Sequence, residues 1–470
     1  MSQFVVLLQI TFISTQLLAL SIAPAFRSLL HPSKTSPQVR HAVCLILGLL
    51  FGWLCFGWQL LHIFGLSSLT YVLLKTVSPL KVQGVVLTVN LVYLSGMHLY
   101  RLFYDYASYT LDITGPLMVT VQKLTSLAFI LHDSVNSKKD DSVVKFTITS
   151  VPSVLEFYGY VFNFQTIMVG PLVFFNDYME WVNGDNFSKC EQTAGNSTHN
   201  GKTPSPLISV LKKLAASALC GIVYILLVPH FPISKLREMD FLERWPTVNK
   251  LIYLYFSTGI VRCMYYHAWL LTDAVSNASG LGFNGFDENG VAQWDLLSNV
   301  DIIKFEFGEN LKASIDSWNK GTNKWLRLIV YSRVKKFSTP LTFALSALWH
   351  GFYPGYYLTF STGALFISAA RTIRRKVRPL FMSNPSQKLF YDVMTIITTR
   401  VALAYMVFPF VVLELWLSLR IYFHMLWWMH ALAVAAILVL PYVPTKQQRE
   451  TFSAHLTQSG NNLVTTSIHG

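Results

Sequence analysis

Charge is what this chain has least of: Asp, Glu, Lys and Arg make up 13% of its 470 residues. A water-soluble globular protein carries roughly a quarter, so the shortfall excludes a fully solvated surface on a chain of this size. Cysteine is sparse too. The five (Cys44, Cys55, Cys190, Cys220, Cys263) are odd in number and scattered, which argues against a disulfide framework and against metal-ligand spacing. Four of them lie within or beside apolar runs, where Cys acts as a small hydrophobe. Also missing are a Gly-x-Ser-x-Gly elbow, a Gly-x-x-x-x-Gly-Lys-Ser/Thr phosphate loop and a His-Glu-x-x-His helix. Covalent serine catalysis and zinc chemistry therefore have no motif to stand on, and no metal is expected. No internal repeat is visible, which removes support for the inverted symmetry of many transporters. The first 26 residues hold no Lys or Arg. Without a basic n-region or a clear cleavage site, the apolar run from Phe4 reads as a membrane helix and not a removed signal.

What is present is apolar. Hydrophobic residues make up 52% and aromatics 14%, and the mean hydropathy is +0.41. Runs near the ~20 residues that cross a bilayer recur from end to end. They fall at about 4–23, 41–63, 67–78, 84–103, 110–131, 152–176, 206–229, 250–272, 338–349, 354–370, 390–415 and 422–441. The pattern predicts an all-α polytopic membrane protein of about ten to twelve membrane helices. The short 67–78 run is expected to pair with its neighbour. A single multi-pass domain is expected over 1–445, followed by a polar cytosolic tail, 446–470. Three polar stretches interrupt the runs: 133–147, 183–205 with sequons at Asn186 and Asn196, and 273–337. The last is polar yet rich in Trp and Phe, so short helices packed against the membrane core are expected there.

The formal charge is +13, from 37 Lys and Arg against 24 Asp and Glu. These cations sit at the ends of apolar runs, as the positive-inside bias requires, so membrane lipid and not nucleic acid is the expected partner. The first loop (Arg27, Lys34, Arg40) and the cluster Arg371, Arg374, Arg375, Lys376 and Arg378 are assigned to the cytosol. The tail, with Lys446 and Arg449, returns to the same side.

The stretch between Lys335-Lys336 and that cluster is the most informative. Phe337–Trp349 is apolar, but thirteen helical residues span only about 20 Å, short of the ~30 Å hydrocarbon core. His350 follows, then Gly351-Phe352-Tyr353-Pro354-Gly355, which breaks the helix. A second run, Tyr356–Ala370, returns to the cations. Two basic anchors on one side with a broken hairpin between them put His350 at membrane depth, where an ionisable group marks function. Irregular backbone at depth is tolerated inside protein or beside a cavity, and an imidazole beside a cavity suits general-base work near neutrality. By itself Asn319 reads as a helix N-cap. Lys320, Lys324, Arg327, Arg333, Lys335 and Lys336 form a basic strip beside it, able to meet phosphates or lipid headgroups. His98, Asp105, Asp112, Lys123, His132 and Glu156 read as interhelical contacts.

At Trp318-Asn319…Trp325-Leu326-Arg327 and Ser346-Ala-Leu-Trp-His350-Gly-Phe-Tyr-Pro-Gly-Tyr-Tyr357 the chain resembles the membrane-bound O-acyltransferase family. The two motifs in that order, about 30 residues apart, are far more specific than either alone. A narrower likeness runs through His31-Pro-Ser-Lys34, Tyr109…Thr114-Gly-Pro-Leu-Met118, Gly170-Pro171, Asp177-Tyr178 and Asn284…Gly290…Trp294-Asp295…Ser298-Asn299. There the chain is similar to the lysophospholipid acyltransferase 1 and 2 branch, over about residues 25–441. The resemblance implies the membrane-bound O-acyltransferase fold and an active-site pair at Asn319 and His350. Substrate contacts are expected from Trp318, Trp349, Lys324, Arg327 and Arg333. It also implies an endoplasmic-reticulum enzyme that needs no cofactor and takes acyl-CoA as co-substrate. The expected reaction moves an unsaturated chain such as oleoyl onto lysophosphatidylethanolamine or lysophosphatidylserine. Lysophosphatidylcholine, a sterol or a peptide as acceptor are the alternatives within that chemistry, and a lipid transporter without chemistry is the alternative outside it.

Overall fold

The computed structural model describes residues 3–106, 112–136, 148, 150–187 and 203–443, with side chains from residue 10 onward. Among these residues the secondary structure is helical, apart from one isolated bridge between Phe286 and Ala292. Six helical runs are long and apolar enough to cross a membrane, or seven if one sharply bent pair forms a single span. Four of them are α1 (Gln3–Leu29), the 40-residue run made by α2 (Pro37–Phe56) and α3 (Leu60–Thr76), α4 (Val82–Tyr104) and α5 (Thr114–Asn136), and the other two are Leu207–Leu227 and Pro385–Val412. After the short α6 (Val154–Val161) and α7 (Phe175–Asn183) come α8 (Leu207–Leu227) and the 32-residue α9 (Thr247–Ala278). Of these two, α8 is in the apolar set and α9 is not. Three short helices follow: α10 (Ile302–Phe307), α11 (Leu311–Ser317) and α12 (Lys320–Leu326). The chain ends in α13 (Ser338–His350), α14 (Pro354–Lys376), α15 (Pro385–Val412), α16 (Leu415–His424) and α17 (Trp428–Val439).

Several expectations are corrected by this arrangement. The 41–63 run is broken by a tight turn at Gly57–Gln59, where Gly57 takes φ +51°, and the 67–78 run continues its second part within α3. Leu60 then folds back to within 2.7 Å of where a Cβ on Gly52 would lie. The 152–176 run forms no helix long enough to cross a membrane. A capping box of Ser153 and Glu156 starts α6. The Lys123 ammonium stops it eight residues later, taking the carbonyl oxygens of Tyr160 and Val161 at 3.2 and 3.0 Å and Asn163 Oδ1 at 2.6 Å. A lysine can sit in the middle of α5 because its three N–H groups are matched by three oxygens. The 422–441 run is the end of α16 plus α17, bent by 79° between His424 and Trp428. The 273–337 stretch forms α10–α12, as its mixed composition predicts. The tail and the Asn196 sequon lie outside the described residues.

Two cores position the site. One is built on α5, most of whose apolar stretch is buried, with α1, α2, α4, α6 and α7 around it. The other gathers α9, α10, α14, α15 and α16 around Tyr405, Phe408 and Tyr422. The hairpin α13–α14 lies at their seam: Trp349 belongs to the first, while Phe343 and Phe366 pack into the second.

Candidate active site

The hairpin inferred from sequence is present. Thirteen residues of α13 end at His350, and Gly351 takes φ +116°, a conformation open to glycine and strained for other residues. Pro354, at the first turn of α14, starts the return. Both ends of the hairpin meet at the basic side, where Arg371 Nη1 donates to Thr339 Oγ1 at 2.7 Å.

At the tip, the His350 ring is walled by aromatics. Its centroid lies 4.6 Å from Trp349, 4.8 Å from Phe360, 5.3 Å from Phe410 and 5.8 Å from Tyr356. Some of its surface stays accessible. Nδ1 is 2.7 Å from the carbonyl oxygen of Ser346, one turn back. A carbonyl only accepts, so Nδ1 carries the proton and donates it. The neutral ring then has its lone pair on Nε2. Two contacts fix the loop that holds it. His98, on α4, bonds the Trp349 carbonyl oxygen through Nε2 at 3.1 Å, and Trp349 Nε1 donates to the Met118 carbonyl at 3.0 Å. The start of α14 is docked on α15, with Gly355 N donating to Leu413 O at 2.9 Å. A Cβ on Gly355 would sit 2.0 Å from Pro409 O, so only glycine permits that approach.

Asn319 occupies the N-cap position of α12, but it does not cap. Its side chain makes no capping hydrogen bond, and its backbone is left-handed at φ 45°, ψ 56°. Asn299 does the work instead: its carbonyl accepts from Lys320 N at 2.8 Å, and its Oδ1 from Gly321 N at 3.0 Å. Asn323 Nδ2 ties down the Ile315 and Trp318 carbonyls. The Asn319 amide is thus held on a strained, fully determined backbone without a capping duty, a pattern that clusters at functional sites. Trp318 beside it is packed by Trp269, Phe305, Tyr266 and Tyr265, with ring centroids 5.0 to 5.9 Å away.

The two motifs meet through tryptophan. Trp325, six residues beyond Asn319, lies 5.8 Å from Trp349, the neighbour of His350, and donates Nε1–H to Thr125 Oγ1. The basic strip divides. Lys324 and Arg327 are exposed. Arg333 is held by Asp133 through two hydrogen bonds of 2.9 and 2.5 Å, over the Phe129 ring.

In the sequence His98 reads as an interhelical contact, and no local pattern there gives Asn299 or Phe410 a role. Nothing in the local pattern around Phe410 marks it, since it meets His350 only through the packing of α15 on α14.

With this geometry in view, comparison with known proteins is decisive. Residues 99–408 match the membrane-bound O-acyltransferase family, a stretch that contains both motifs and both cores' central helices. The chain belongs to that family. As a membrane-bound O-acyltransferase it is a multi-pass membrane enzyme that transfers acyl groups. It is 44% identical to lysophospholipid acyltransferase 6 of Drosophila melanogaster over 98% of its own length and 66% of the fly protein. It is 38% identical to membrane-bound glycerophospholipid O-acyltransferase 1 of Mus musculus, covering 95% of this chain and 92% of the mouse protein. It shares the same identity with membrane-bound glycerophospholipid O-acyltransferase 2 of Homo sapiens, over 96% and 88%.

Proposed function

We propose that this acyltransferase moves an acyl chain from acyl-CoA to the free hydroxyl of a lysophospholipid, with His350 as general base. The observation that carries the reading is the Nδ1 bond to Ser346, which leaves Nε2 free to accept a proton inside an aromatic wall. The acceptor hydroxyl gives its proton to Nε2 as its oxygen attacks the thioester carbonyl carbon. The tetrahedral intermediate then collapses: the carbon–sulfur bond breaks, and the leaving sulfur takes the proton back from the imidazolium. The products are an ester and free CoA, without an acyl-enzyme. Asn319 donates from its side-chain amide to the developing oxyanion, a contribution of roughly 3–4 kcal/mol when a donor is preorganised.

Lys324 and Arg327 meet the CoA phosphates on the cytosolic side, and Arg333, steadied by Asp133, completes that strip. Trp318 and Trp349 flank the acyl path. The names of the fly, mouse and human relatives support a glycerophospholipid acceptor. Resemblance to the 1 and 2 branch narrows this to oleoyl transfer onto lysophosphatidylethanolamine or lysophosphatidylserine in the endoplasmic-reticulum membrane. No cofactor enters this scheme.

The test is purified protein in nanodiscs with labelled oleoyl-CoA and a panel of lysophospholipids, a sterol and a peptide, run beside His350→Ala. Esterification of the ethanolamine or serine lysolipid is expected, lost in the variant by a factor of about 10³. Near-normal turnover in folded His350→Ala would overturn the assignment of the base. Label in sterol or peptide alone would overturn the acceptor.

A further inference from the structure

The basic excess of this chain is not spread along it. Between Asp316 and Asp392 the sequence contains no Asp or Glu, yet twelve Lys and Arg. With +13 overall, the remainder of the chain is therefore almost balanced, 25 cations against 24 acids. Topology alone calls for cations at many helix ends. It does not call for one acid-free stretch that holds nearly the whole excess.

Within it the structure separates two tasks. Lys376 turns toward the C-terminal end of the fold, where its Nζ donates to the carbonyls of Pro441 and Val443 at 3.1 and 2.9 Å. Arg371, Arg374, Arg375 and Arg378 follow the i, i+3, i+4, i+7 spacing that lines one helix face. All four border a single open cavity of about 520 Å³, closed on its other side by Pro379 and Met382. Among the described residues none of the four is paired with a carboxylate. The turn that carries Pro379 is pinned to α15, with Phe381 5.6 Å from Tyr391 and 6.3 Å from Phe390. Beside the cavity Leu380, Leu389 and Phe390 are exposed large apolar side chains.

We propose that this four-arginine cavity binds the phosphate headgroup of an anionic membrane phospholipid, at a site separate from the acyl-transfer centre. Guanidinium forks match phosphate oxygens in pairs, and each cation near a membrane surface attracts an anionic lipid by about a fivefold factor in affinity. The exposed Leu380, on the same turn as Pro379, and Leu389 and Phe390, on the helix that turn packs against, favour a lipid over a soluble phosphate, because they offer apolar surface to acyl chains. The cavity opens at the end of α14 opposite to His350, 21 residues or more along the chain from the catalytic tip. The proposal does not rest on His350 or Asn319 having the roles assigned above.

The probe is phosphatidic acid bearing a photoreactive diazirine near its headgroup, presented to the full-length protein in phosphatidylcholine nanodiscs. Crosslinks are expected on peptides covering 371–394. They should be competed by unlabelled phosphatidic acid and weakened by salt, and unaffected by inorganic phosphate or glycerol 3-phosphate at the same concentration. Arg374→Gln/Arg375→Gln/Arg378→Gln should lower labelling at least tenfold. Labelling of the unaltered protein confined to 318–360, or equal competition by the soluble phosphates, overturns the lipid site. So does equal labelling with phosphatidylcholine carrying the same group. These readings need no variant to fold, and none depends on turnover.

Discussion

The His98 ring, on α4, donates Nε2–H to the carbonyl oxygen of Trp349 across 3.1 Å, and its Cγ and Nδ1 close on Gly351. A Cβ at Gly351 would lie 3.0 Å from that ring, where φ +116° already strains any other residue. One histidine therefore fixes the residues on both sides of the other. His98 does not reach the His350 ring through any hydrogen bond of its own, so its part is to position.

Removing it should lower turnover without weakening substrate binding. In His98→Ala, the Trp349 carbonyl loses its partner and the tip loosens. The expected result is a fall in kcat of about tenfold to a hundredfold, the scale set by small misplacements of reacting groups, with KM for acyl-CoA unchanged. His98→Gln, whose amide can still donate to that carbonyl, should recover part of the rate. A KM effect with intact kcat would assign His98 to binding instead.

Asn319 offers a test that separates chemistry from stability. Asn299 already caps α12, and the left-handed backbone of Asn319 suits glycine. Asn319→Gly should therefore leave the thermal midpoint near that of the parent protein while turnover falls about 10²- to 10³-fold. Asn299→Ala should do the reverse at first order: it removes a cap, costing about 1 kcal/mol, with a smaller effect on rate. If Asn319→Gly remains active, the amide has no part in the transition state.

A third expectation concerns the support beneath Trp318. Glu306, on α10, receives Arg262 Nε and Nη2 at 2.9 Å each and the Tyr266 hydroxyl at 2.7 Å. Arg262 is 6% exposed and Glu306 17%, so losing the carboxylate strands a buried guanidinium. Glu306→Ala should destabilise the protein by about 3–5 kcal/mol, read as a lowered unfolding midpoint in detergent. Activity should fall with it, because Tyr266 and Phe305 both hold the Trp318 ring. An unchanged midpoint would show that the pair contributes nothing net to stability.

Much of the site hairpin was legible in one dimension. Its helix, break and return need only apolar length, a glycine, a proline and two basic anchors, and α13 and α14 begin and end within a few residues of those signals. The 152–176 run was not. Its composition suits a span, and it stops because Lys123, from another helix, takes the end carbonyls of α6. The bend between α16 and α17 was equally hidden, since nothing in Met425-Leu426-Trp427 announces that Leu426 and Trp427 both take positive φ.

Sequence by itself determined that this chain lives in a membrane, that its helices carry most of the apolar load, and that His350 stands beside a helix break. These follow from local quantities: hydropathy over a window, helix rise per residue and backbone preferences. Only the tertiary structure decided what Asn319 is. Locally it is a cap, and it ceases to be one because Asn299, twenty positions earlier, supplies the cap from outside the helix. His350 divides between the two levels. Its tautomer is a local matter, since Nδ1 donates to the Ser346 carbonyl one turn back in the same helix. What surrounds the free Nε2 edge is not local: Phe360 and Phe410 come from two other helices and wall the ring only through packing, not by order along the chain.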